Sequence, residues 1–464
     1  MTTFTFSSEH ISGTMTTEAK LRVSECRIEF DTYKSAGDKA RTKGEFGFDS
    51  LTKKLRQNST DLEKLKKEYT PFNIAEEEYY VPWLSISQGQ TVELSVDVKK
   101  NKDKGTLDLI EGNDGNEFTI LTKDKNGNES KDLAAMKSIS ISCNATKQTP
   151  TQLRFKSGNN IIGGINVFHP KPKKVDLRLV MVTTKVNKDD NDDEKNAISN
   201  SFGISKYASS ALTQKIKDDL QRAFNPALLD FNIVGNTIHE VNLANDFEKN
   251  WAKYFMDANL RVRRNPVSIR TELLSDLTDY KSNNLFRPFS EEEIKKTLDL
   301  EINHAGSLKM DLLQEEGNED FLGIDHLLDR FSSYNWGYDA MDKKSITLFL
   351  TNFQCYIPAK TLTGDDTKAG INGCSKTGNN QALMFLGNNA EHLKIPVTPK
   401  TELPHELMHC LGLPHVFLQP KDNTYLPFHY FNKTSTDNYM DYGNTVKHTF
   451  HFQWEMMHLS KFSK

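Results

Sequence analysis

The segment from residue 401 to residue 417, TELPHELMHCLGLPHVF, constrains the fold more than any other part of the sequence. His405 and His409 are four positions apart, so an α-helix would carry both on one face with their Cβ atoms about 6 Å apart. Two imidazoles in that arrangement can bind one zinc ion, and Glu406, offset by one position, is placed to accept a proton rather than to ligate. The segment therefore predicts a short helix that presents two metal ligands.

The ends of this helix can also be predicted. Thr401 suits the N-cap, and Pro404 falls in the first turn, where proline costs little. Gly412 can take the left-handed conformation that ends a helix, and Pro414 prevents further helix, so that His415 returns to the metal as a third ligand. Three neutral imidazoles leave a fourth position open, which is typical of a catalytic zinc site. The alternative is that these histidines are polar residues on a helix surface.

Residues 76–170 have the pattern of a β-rich domain. YYVPWLSISQGQTVELSVDV alternates apolar and polar residues, and EGNDGNEFTILTKDKNGNES contains Asp-Gly and Asn-Gly pairs that suit hairpin turns. Short strands at this spacing predict a β-sandwich-like domain. Residues 1–75 have an unclear fold, with one predicted strand near LRVSECRIEF and then a charged helix.

A second domain is predicted over residues 171–464, with its boundary in the proline- and lysine-rich stretch HPKPKKVD (169–176). It opens with the strand–helix–strand pattern of an α/β unit. Residues 236–342 are charged and helical in pattern, so we interpret them as a helical insertion. The strand SITLFLTNF, a turn-rich segment and the short strand QALMFLG (381–387) then lead to the histidine segment. The predicted fold class is α+β, a β-sandwich-like domain followed by an α/β domain.

The histidine segment also resembles a known family. HELMHCLGLPH (405–415) is similar to the long zinc signature of the metzincin metalloproteases. TSTDNYMDYGN (434–444) resembles the methionine turn of that family, with Met440 as its methionine. Tyr442 holds the place of a tyrosine that reaches the metal in several metzincin groups. The Asn-x-Met-Asp-Tyr wording is similar to that of pappalysin-like and related bacterial enzymes.

The resemblance implies a metzincin-type α/β zinc protease domain that acts as a zinc-dependent metalloendopeptidase. One catalytic zinc ion would be held by His405, His409 and His415, and a zinc-activated water would attack the peptide bond with Glu406 as general base. Tyr442 would stabilise the oxyanion. Metzincins bind substrate as an added strand on an edge strand just upstream, which points to QALMFLG and hence to Ala382, Leu383, Met384 and Phe385.

Composition and termini limit the partners and the compartment. A net charge of -4 gives no case for a nucleic-acid partner, and the longest apolar runs are too short for a membrane span. The expected partner is a protein or peptide substrate. No signal peptide is recognisable, so we expect a cytoplasmic protein or one exported without such a signal. A leading β domain without a signal also resembles metallopeptidases associated with type VI secretion, in which case this domain would dock a partner or the secretion apparatus as part of a secretion effector.

Two further functions fit the same residues. One is a zinc amidase that acts on a non-protein amide such as a cell-wall peptide, which a narrow, closed cleft would favour. The other is a binding or docking protein with a secondary zinc site, although a structural zinc does not need the carboxylate of Glu406.

Two acidic stretches, NKDDNDDEK (187–195) and DKNGN (124–128), are candidates for a calcium site. Neither has the spaced ligand pattern of a calcium loop. A solvated loop is the simpler interpretation of the first stretch, and a hairpin turn is the simpler interpretation of the second.

Overall fold

The structure is a computed structural model that describes residues 26–32, 43–74, 76–99, 105–113, 115–184, 210–241, 261–263, 344–351, 354–360, 366–370, 373–375, 377–385, 402–417, 429–442 and 448–464. Both helices and strands occur in these ranges and strands predominate, so the chain has an α+β architecture. Within the described ranges, none of the helices has the length and apolar character needed to cross a membrane.

The first half of the described chain forms two β-sheets. In chain order its strands are β1 (Arg27–Thr32), β2 (Gly47–Asp49), β3 (Phe72–Ile74), β4 (Glu77–Tyr79), β5 (Trp83–Ser85), β6 (Thr91–Lys99), β7 (Leu109–Glu111), β8 (Phe118–Asp124), β9 (Met136–Cys143), β10 (Thr151–Ser157) and β11 (Asn160–Phe168). One sheet has the order β1-β6-β9-β8 and the other β2-β5-β11-β10-β7, while β3 and β4 pair separately. All pairs are antiparallel except β5 with β11.

A single hydrophobic core lies between these two sheets. Alternation along β6 turns Val92, Leu94 and Val96 inward, where they share a core with Phe155 and Val167 of the other sheet. Each such side chain contributes about 1.5–3 kcal/mol by leaving water. The arrangement is a two-layer β-sandwich. Strands β1 and β2 belong to it, so parts of the N-terminal segment of unclear fold complete the β domain.

The charged helix predicted in the N-terminal segment is two short helices, α1 (Lys53–Gln57) and α2 (Leu62–Glu68). Thr52 and Asp61 cap the N-termini of these helices. Their side-chain oxygens accept hydrogen bonds from first-turn backbone N–H groups that have no partner within the helix. Leu65 is fully buried in the core of the second half of the chain rather than in the sandwich. These helices therefore tie the N-terminal segment to the second half of the chain.

In chain order the elements of the second half are β12 (Lys173–Thr184), α3 (Ser210–Phe224), β13 (Leu229–Val241), β14 (Arg261–Arg263), β15 (Ile346–Thr351), β16 (Gln354–Lys360), β17 (Asp366–Gly370), β18 (Gly373–Ser375), β19 (Gln381–Phe385), α4 (Glu402–Cys410) and α5 (His451–His458). Its main sheet has the order β13-β12-β15-β19-β18. The strands of this sheet are parallel except β18, which runs antiparallel to β19. Strands β14, β16 and β17 form a separate small sheet.

Apolar sequence explains why β12 lies inside this sheet. The run VDLRLVMV buries Val175, Leu177 and Leu179, as expected for a parallel strand with neighbours on both sides. Helix α3 connects β12 to β13 and buries Ile216 and Leu220, which are four residues apart and share one face.

Two expectations about the second half are corrected. Residues 236–241 continue β13 and residues 261–263 form β14, so these parts of the predicted helical insertion are extended; the rest of the insertion lies outside the described residues. The segment that we expected to be turns contains β16, β17 and β18. Strands β17 and β18 are short, and β16 contains proline and lysine, so they lack the apolar alternation by which strands are recognised.

The two halves meet at a buried polar cluster. The carboxylate of Asp49 accepts hydrogen bonds from the Tyr69 hydroxyl at 2.9 Å, from His451 Nδ1 at 2.7 Å and from the His451 backbone N–H at 2.9 Å. The Trp83 ring stacks on the His451 ring with a centroid distance of 4.3 Å. Burial raises the pKa of Asp49, but hydrogen bonds from His451 and attraction to it outweigh burial and hold that pKa below its ordinary value.

Candidate metal centre

Helix α4 carries the first two histidines and the glutamate between them. Leu403, Leu407 and Met408 are fully buried, and the helix packs against β18 and β19. This packing leaves His405 and His409, one helical turn apart, only 8% exposed each. Pro404 lies in the first turn, as the sequence predicts, whereas the N-cap predicted at Thr401 lies outside the described residues.

The helix ends in a glycine turn. Gly412 has a φ of 102°, its N–H donates to the carbonyl of His409 at 2.9 Å, and the N–H of Leu413 donates to the carbonyl of Met408 at 3.0 Å. This pair of bonds is a Schellman motif. It turns the chain back, so that His415 comes within reach of the two helical histidines.

Gly412→Ala is expected to destabilise this turn by about 1–2 kcal/mol, because a Cβ is unfavourable at a positive φ even where space is open. Zinc affinity should fall by about tenfold, since the turn sets the Leu413 carbonyl that orients His409. Urea unfolding and competition with a zinc-binding dye measure the two effects. Gly235→Ala is the control, because Gly235 has an ordinary φ and an added Cβ would have its nearest neighbour at 4.0 Å. Equal effects of the two substitutions would contradict the role of the turn.

The imidazoles of His405, His409 and His415 converge. Their candidate ligand atoms all lie within 4.8 Å of one another. His405 Nε2 and His409 Nε2 are 3.1 Å apart, and the His415 ring centroid is 4.7 Å from that of His409. Among the described residues, this is the cluster of histidine, cysteine and carboxylate groups that could hold a metal ion.

Hydrogen bonds fix which nitrogens face the centre. His405 Nδ1 donates to the Tyr439 carbonyl at 2.6 Å, and His409 Nδ1 donates to the Leu413 carbonyl at 2.8 Å. A neutral imidazole carries one proton, so each Nε2 presents a lone pair. Two lone pairs at 3.1 Å repel each other unless a cation lies between them. Carbonyl partners of this kind are the usual outer contacts of metal-bound histidines.

The rings of His409 and His415 bind protons weakly. Burial, and then the neighbouring His405, lower the pKa of His409 to about 3, against a smaller opposing effect of its bond to Leu413. Burial, and then the charges of His409 and His405, hold the pKa of His415 well below its ordinary value. Both rings are therefore neutral at neutral pH, which is the form that binds a metal. The donor set fits a zinc ion.

Glu406 is buried between helix α4 and strand β18. Its Oε2 accepts a hydrogen bond from Ser375 Oγ at 2.8 Å. A Cβ on Gly373 would lie 2.7 Å from Glu406 Cγ, so only glycine lets the strand approach this closely. The carboxylate thus lies on the helix beside the histidines, with its stem packed against the strand.

The prediction of the substrate edge strand is corrected. Strand β19 has β15 on one side and β18 on the other, so Ala382, Leu383 and Met384 are paired on both sides and buried. Phe385 pairs with β15 one position beyond the contact with β18. In the described sheet the outermost strand on this side is β18. This strand has only three residues, Gly-Cys-Ser, and too few of them are apolar for a strand to be recognised from the sequence.

The turn at Met440, which resembles a methionine turn, is held by its neighbours in sequence and by helix α5. Met440 is fully buried, and its N–H donates to Asn438 Oδ1 at 2.8 Å. The Asn438 amide is paired with that of Gln453 on α5 at 2.7 and 3.1 Å. Asp441 accepts bonds from the backbone N–H groups of residues 434, 436 and 442. The turn therefore holds the Tyr439 carbonyl where it orients His405.

Tyr442 lies beside the third histidine. Its hydroxyl is 3.1 Å from His415 Nε2, and its side chain is 39% exposed. Lys433 Nζ lies 4.9 Å from the centroid of the Tyr442 ring and 5.7 Å from that of Phe417, and the Phe417 ring stacks on His415. The tyrosine that the sequence singled out is thus at the open side of the histidine cluster.

Several contributing residues were missed from the sequence. Ser375 and Gln453 contact the site from strands and helices distant in sequence, so no local pattern could reveal them. Asn438 had a local signal, because an asparagine two residues before a turn position commonly bonds that backbone N–H.

The stretch DKNGN (124–128), a candidate calcium site in the sequence, forms a hairpin turn. Asp124 accepts hydrogen bonds from the backbone N–H groups of Asn126 and Asn128. The second acidic stretch, residues 187–195, lies outside the described residues.

Comparisons with known proteins give little guidance. No family model matches the chain, and no curated protein matches it significantly. Domains 4 and 5 of the S-layer protein SbsC align at 17% identity and a TM-score of 0.14, covering 18% of this chain and 46% of that chain. Domains 4–9 of SbsC align at 14% identity and a TM-score of 0.14, covering 26% of this chain and 21% of that chain. The aligned parts span less than half of those chains, and TM-scores this low carry no argument.

Proposed function

We propose that the chain is a zinc-dependent metalloendopeptidase of the metzincin type. The observation that supports this most is the facing of His405 Nε2 and His409 Nε2 at 3.1 Å, with both Nδ1 protons given to backbone carbonyls. His415 brings a third imidazole to the same point. Three such ligands around one ion leave a position open for chemistry.

His405, His409 and His415 would hold the zinc ion. When bound, zinc supplies Lewis-acid chemistry, in that it acidifies water and polarises a carbonyl oxygen. The binding residues are prepared for this role because their hydrogen-bond partners fix the ring orientations before any ligand arrives.

Glu406 is the proposed general base. It is one residue from His405 and buried, and the hydroxyl of Ser375 holds one of its oxygens. The carboxylate accepts a proton from the attacking water and delivers it to the nitrogen of the departing amine. A zinc site that is only structural does not need a proton acceptor beside its ligands.

Tyr442 is the proposed oxyanion donor. Its hydroxyl lies 3.1 Å from His415 Nε2 and its ring is partly exposed, so it can donate to an oxygen that develops negative charge near the histidines. The cation of Lys433 over its ring favours that charge further.

Strand β18 is the proposed substrate strand. It is the outermost antiparallel strand of the described sheet and lies against the helix that carries Glu406. An extended peptide can add to such an edge through backbone hydrogen bonds, with little demand on its sequence. This order of edge strand, zinc helix, methionine turn and closing helix α5 supports the metzincin interpretation of residues 171–464.

Metal content and cleavage of a peptide library test the function. The purified chain is expected to hold one zinc ion and to cut extended peptides, with cleavage lost to a chelator and restored by zinc. His409→Ala should lose both the ion and the activity. His169→Gln is the control, because His169 is a buried histidine of the sandwich that lies outside the cluster.

The outcomes separate the alternatives. A protein that binds no zinc would contradict the proposal. A protein that holds zinc and cuts no peptide would contradict the endopeptidase, and cell-wall peptide amides would be the next substrate to assay.

A further inference from the structure

Ser375 stands out because it contacts Glu406 twice. Its Oγ lies 2.8 Å from Glu406 Oε2 and 2.8 Å from the Glu406 backbone carbonyl. One hydroxyl proton can serve only one acceptor at a time, and a carboxylate is the stronger acceptor. The hydroxyl therefore bonds the group whose position matters for proton transfer.

The strand that carries Ser375 also confines the stem of the same side chain. Gly373 and Ser375 are two residues apart on β18 and so lie on one face of the strand. Gly373 lets the backbone approach Glu406 Cγ, and Ser375 bonds the far end of the side chain. The two positions together restrict the rotation of the Glu406 side chain.

Further bonds lock this strand to the zinc helix. The Gly378 N–H, in the turn after β18, donates to the His409 carbonyl at 2.8 Å. Cys410 Sγ donates to the Gln381 carbonyl at 3.3 Å, at the start of β19. The hairpin and the helix are therefore fixed relative to each other, and the Ser375 hydroxyl has a defined place.

We infer that Ser375 is a positioning residue for the general base, holding the Glu406 carboxylate in the orientation that proton transfer needs. The inference rests on the proposed function. It assigns a role in catalysis to the proposed substrate strand itself, since β18 would hold the peptide along its edge and the base against its face.

Ser375→Ala tests the inference by turnover. We expect kcat to fall about 10- to 100-fold, the range that loss of a hydrogen bond to a charged group gives, with KM within about twofold. Zinc content should not change. Ser375→Thr keeps the hydroxyl and should restore most of kcat. Ser463→Ala is the matched control, because Ser463 Oγ donates to the Met457 carbonyl at the same 2.8 Å, remote from the site.

A binding measurement keeps the test independent of turnover. Acetohydroxamic acid loses a proton when it chelates zinc, and a carboxylate at the site can take that proton. Calorimetry should show weaker binding in Ser375→Ala than in the wild type, and no further weakening when Ser375→Ala is added to Glu406→Gln. Such coupling is expected only if Ser375 acts through Glu406.

Failure takes distinct forms. Unchanged kcat and unchanged hydroxamate binding in Ser375→Ala would overturn the inference, as would a parallel loss of zinc and thermal stability that Ser375→Thr does not rescue. A wild type that hydrolyses nothing would overturn the proposed function, while the hydroxamate cycle would still decide whether Ser375 orients Glu406.

Discussion

Glu406→Gln is expected to bind zinc as the wild type does and to hydrolyse peptides about 100- to 10,000-fold more slowly, the usual contribution of general acid–base catalysis. Glutamine has nearly the same shape and can still accept the bond from Ser375 at its carbonyl oxygen. It cannot take up a proton from water. The loss should therefore appear in kcat, and mass spectrometry of the native protein should still show one zinc ion.

The control for this substitution is Glu402→Gln. Glu402 lies on the same helix, one turn before Glu406 and in its first turn. Removing its charge alters the helix N-terminus by about 0.3–1 kcal/mol at most and leaves the proton acceptor in place. Near-normal turnover by Glu406→Gln would remove the general base from the mechanism, and comparable losses in both variants would mean that helix charge, rather than proton transfer, is measured.

The helix that carries His405 and His409 could be predicted closely because its information is local. The spacing of His405 and His409, the glycine at 412 and the proline at 414 each act within one or two helical turns. The structure gives Gly412 its positive φ and brings His415 to the other two rings. Alternation in β6 likewise predicted the sandwich core.

The surroundings of the site could not be predicted because their contacts are long-range. Ser375 reaches Glu406 across 31 positions and Asp49 reaches His451 across 402 positions. Such pairs depend on how sheets and helices pack, which single-sequence periodicity does not contain. The wrong assignment of the edge strand has the same origin, because the apolar run at 381–385 identifies a strand but not its neighbours.

Burial can be read from a sequence more easily than pairing. The apolar run VDLRLVMV at β12 is typical of a strand that is buried on both faces, and its parallel partners follow only from the crossovers on each side. The N-terminal segment shows the opposite case. Its helices are charged over most of their surface, and a few apolar positions such as Leu55 and Leu65 carry the packing against the second half.

Asp49→Asn is expected to lower the free energy of unfolding by about 1–3 kcal/mol, the cost of leaving a buried hydrogen-bond donor without its acceptor. The carboxylate accepts hydrogen bonds from the Tyr69 hydroxyl, from His451 Nδ1 and from the His451 backbone N–H. Asparagine has an NH₂ group in place of one carboxylate oxygen, and this group cannot accept a hydrogen bond. Urea unfolding measures the loss. Asp176→Asn is the control, because Asp176 pairs with Lys464 at the surface and should cost about 1 kcal/mol or less.

The pH dependence of this loss has a definite sign. The folded-state pKa of Asp49 lies below its ordinary value of 3.8, so its stabilisation is complete above that value and disappears as the pH falls through the folded-state pKa. The difference between the wild type and Asp49→Asn should therefore be constant from pH 7 down to about pH 5 and shrink in stronger acid. A difference that grew on acidification would show that the carboxylate is protonated in the folded state.

The same substitution should reach the metal centre. His451 begins helix α5, and Gln453 on that helix holds the Asn438 amide, which in turn positions Met440 and the carbonyl behind His405. Loosening the first turn of α5 thus removes support from the carbonyl that orients His405, and we expect the affinity for added zinc to fall by about tenfold. Unchanged zinc affinity together with reduced stability would contradict this link. It would show that the contacts of Asp49 stabilise the second half without influencing the site.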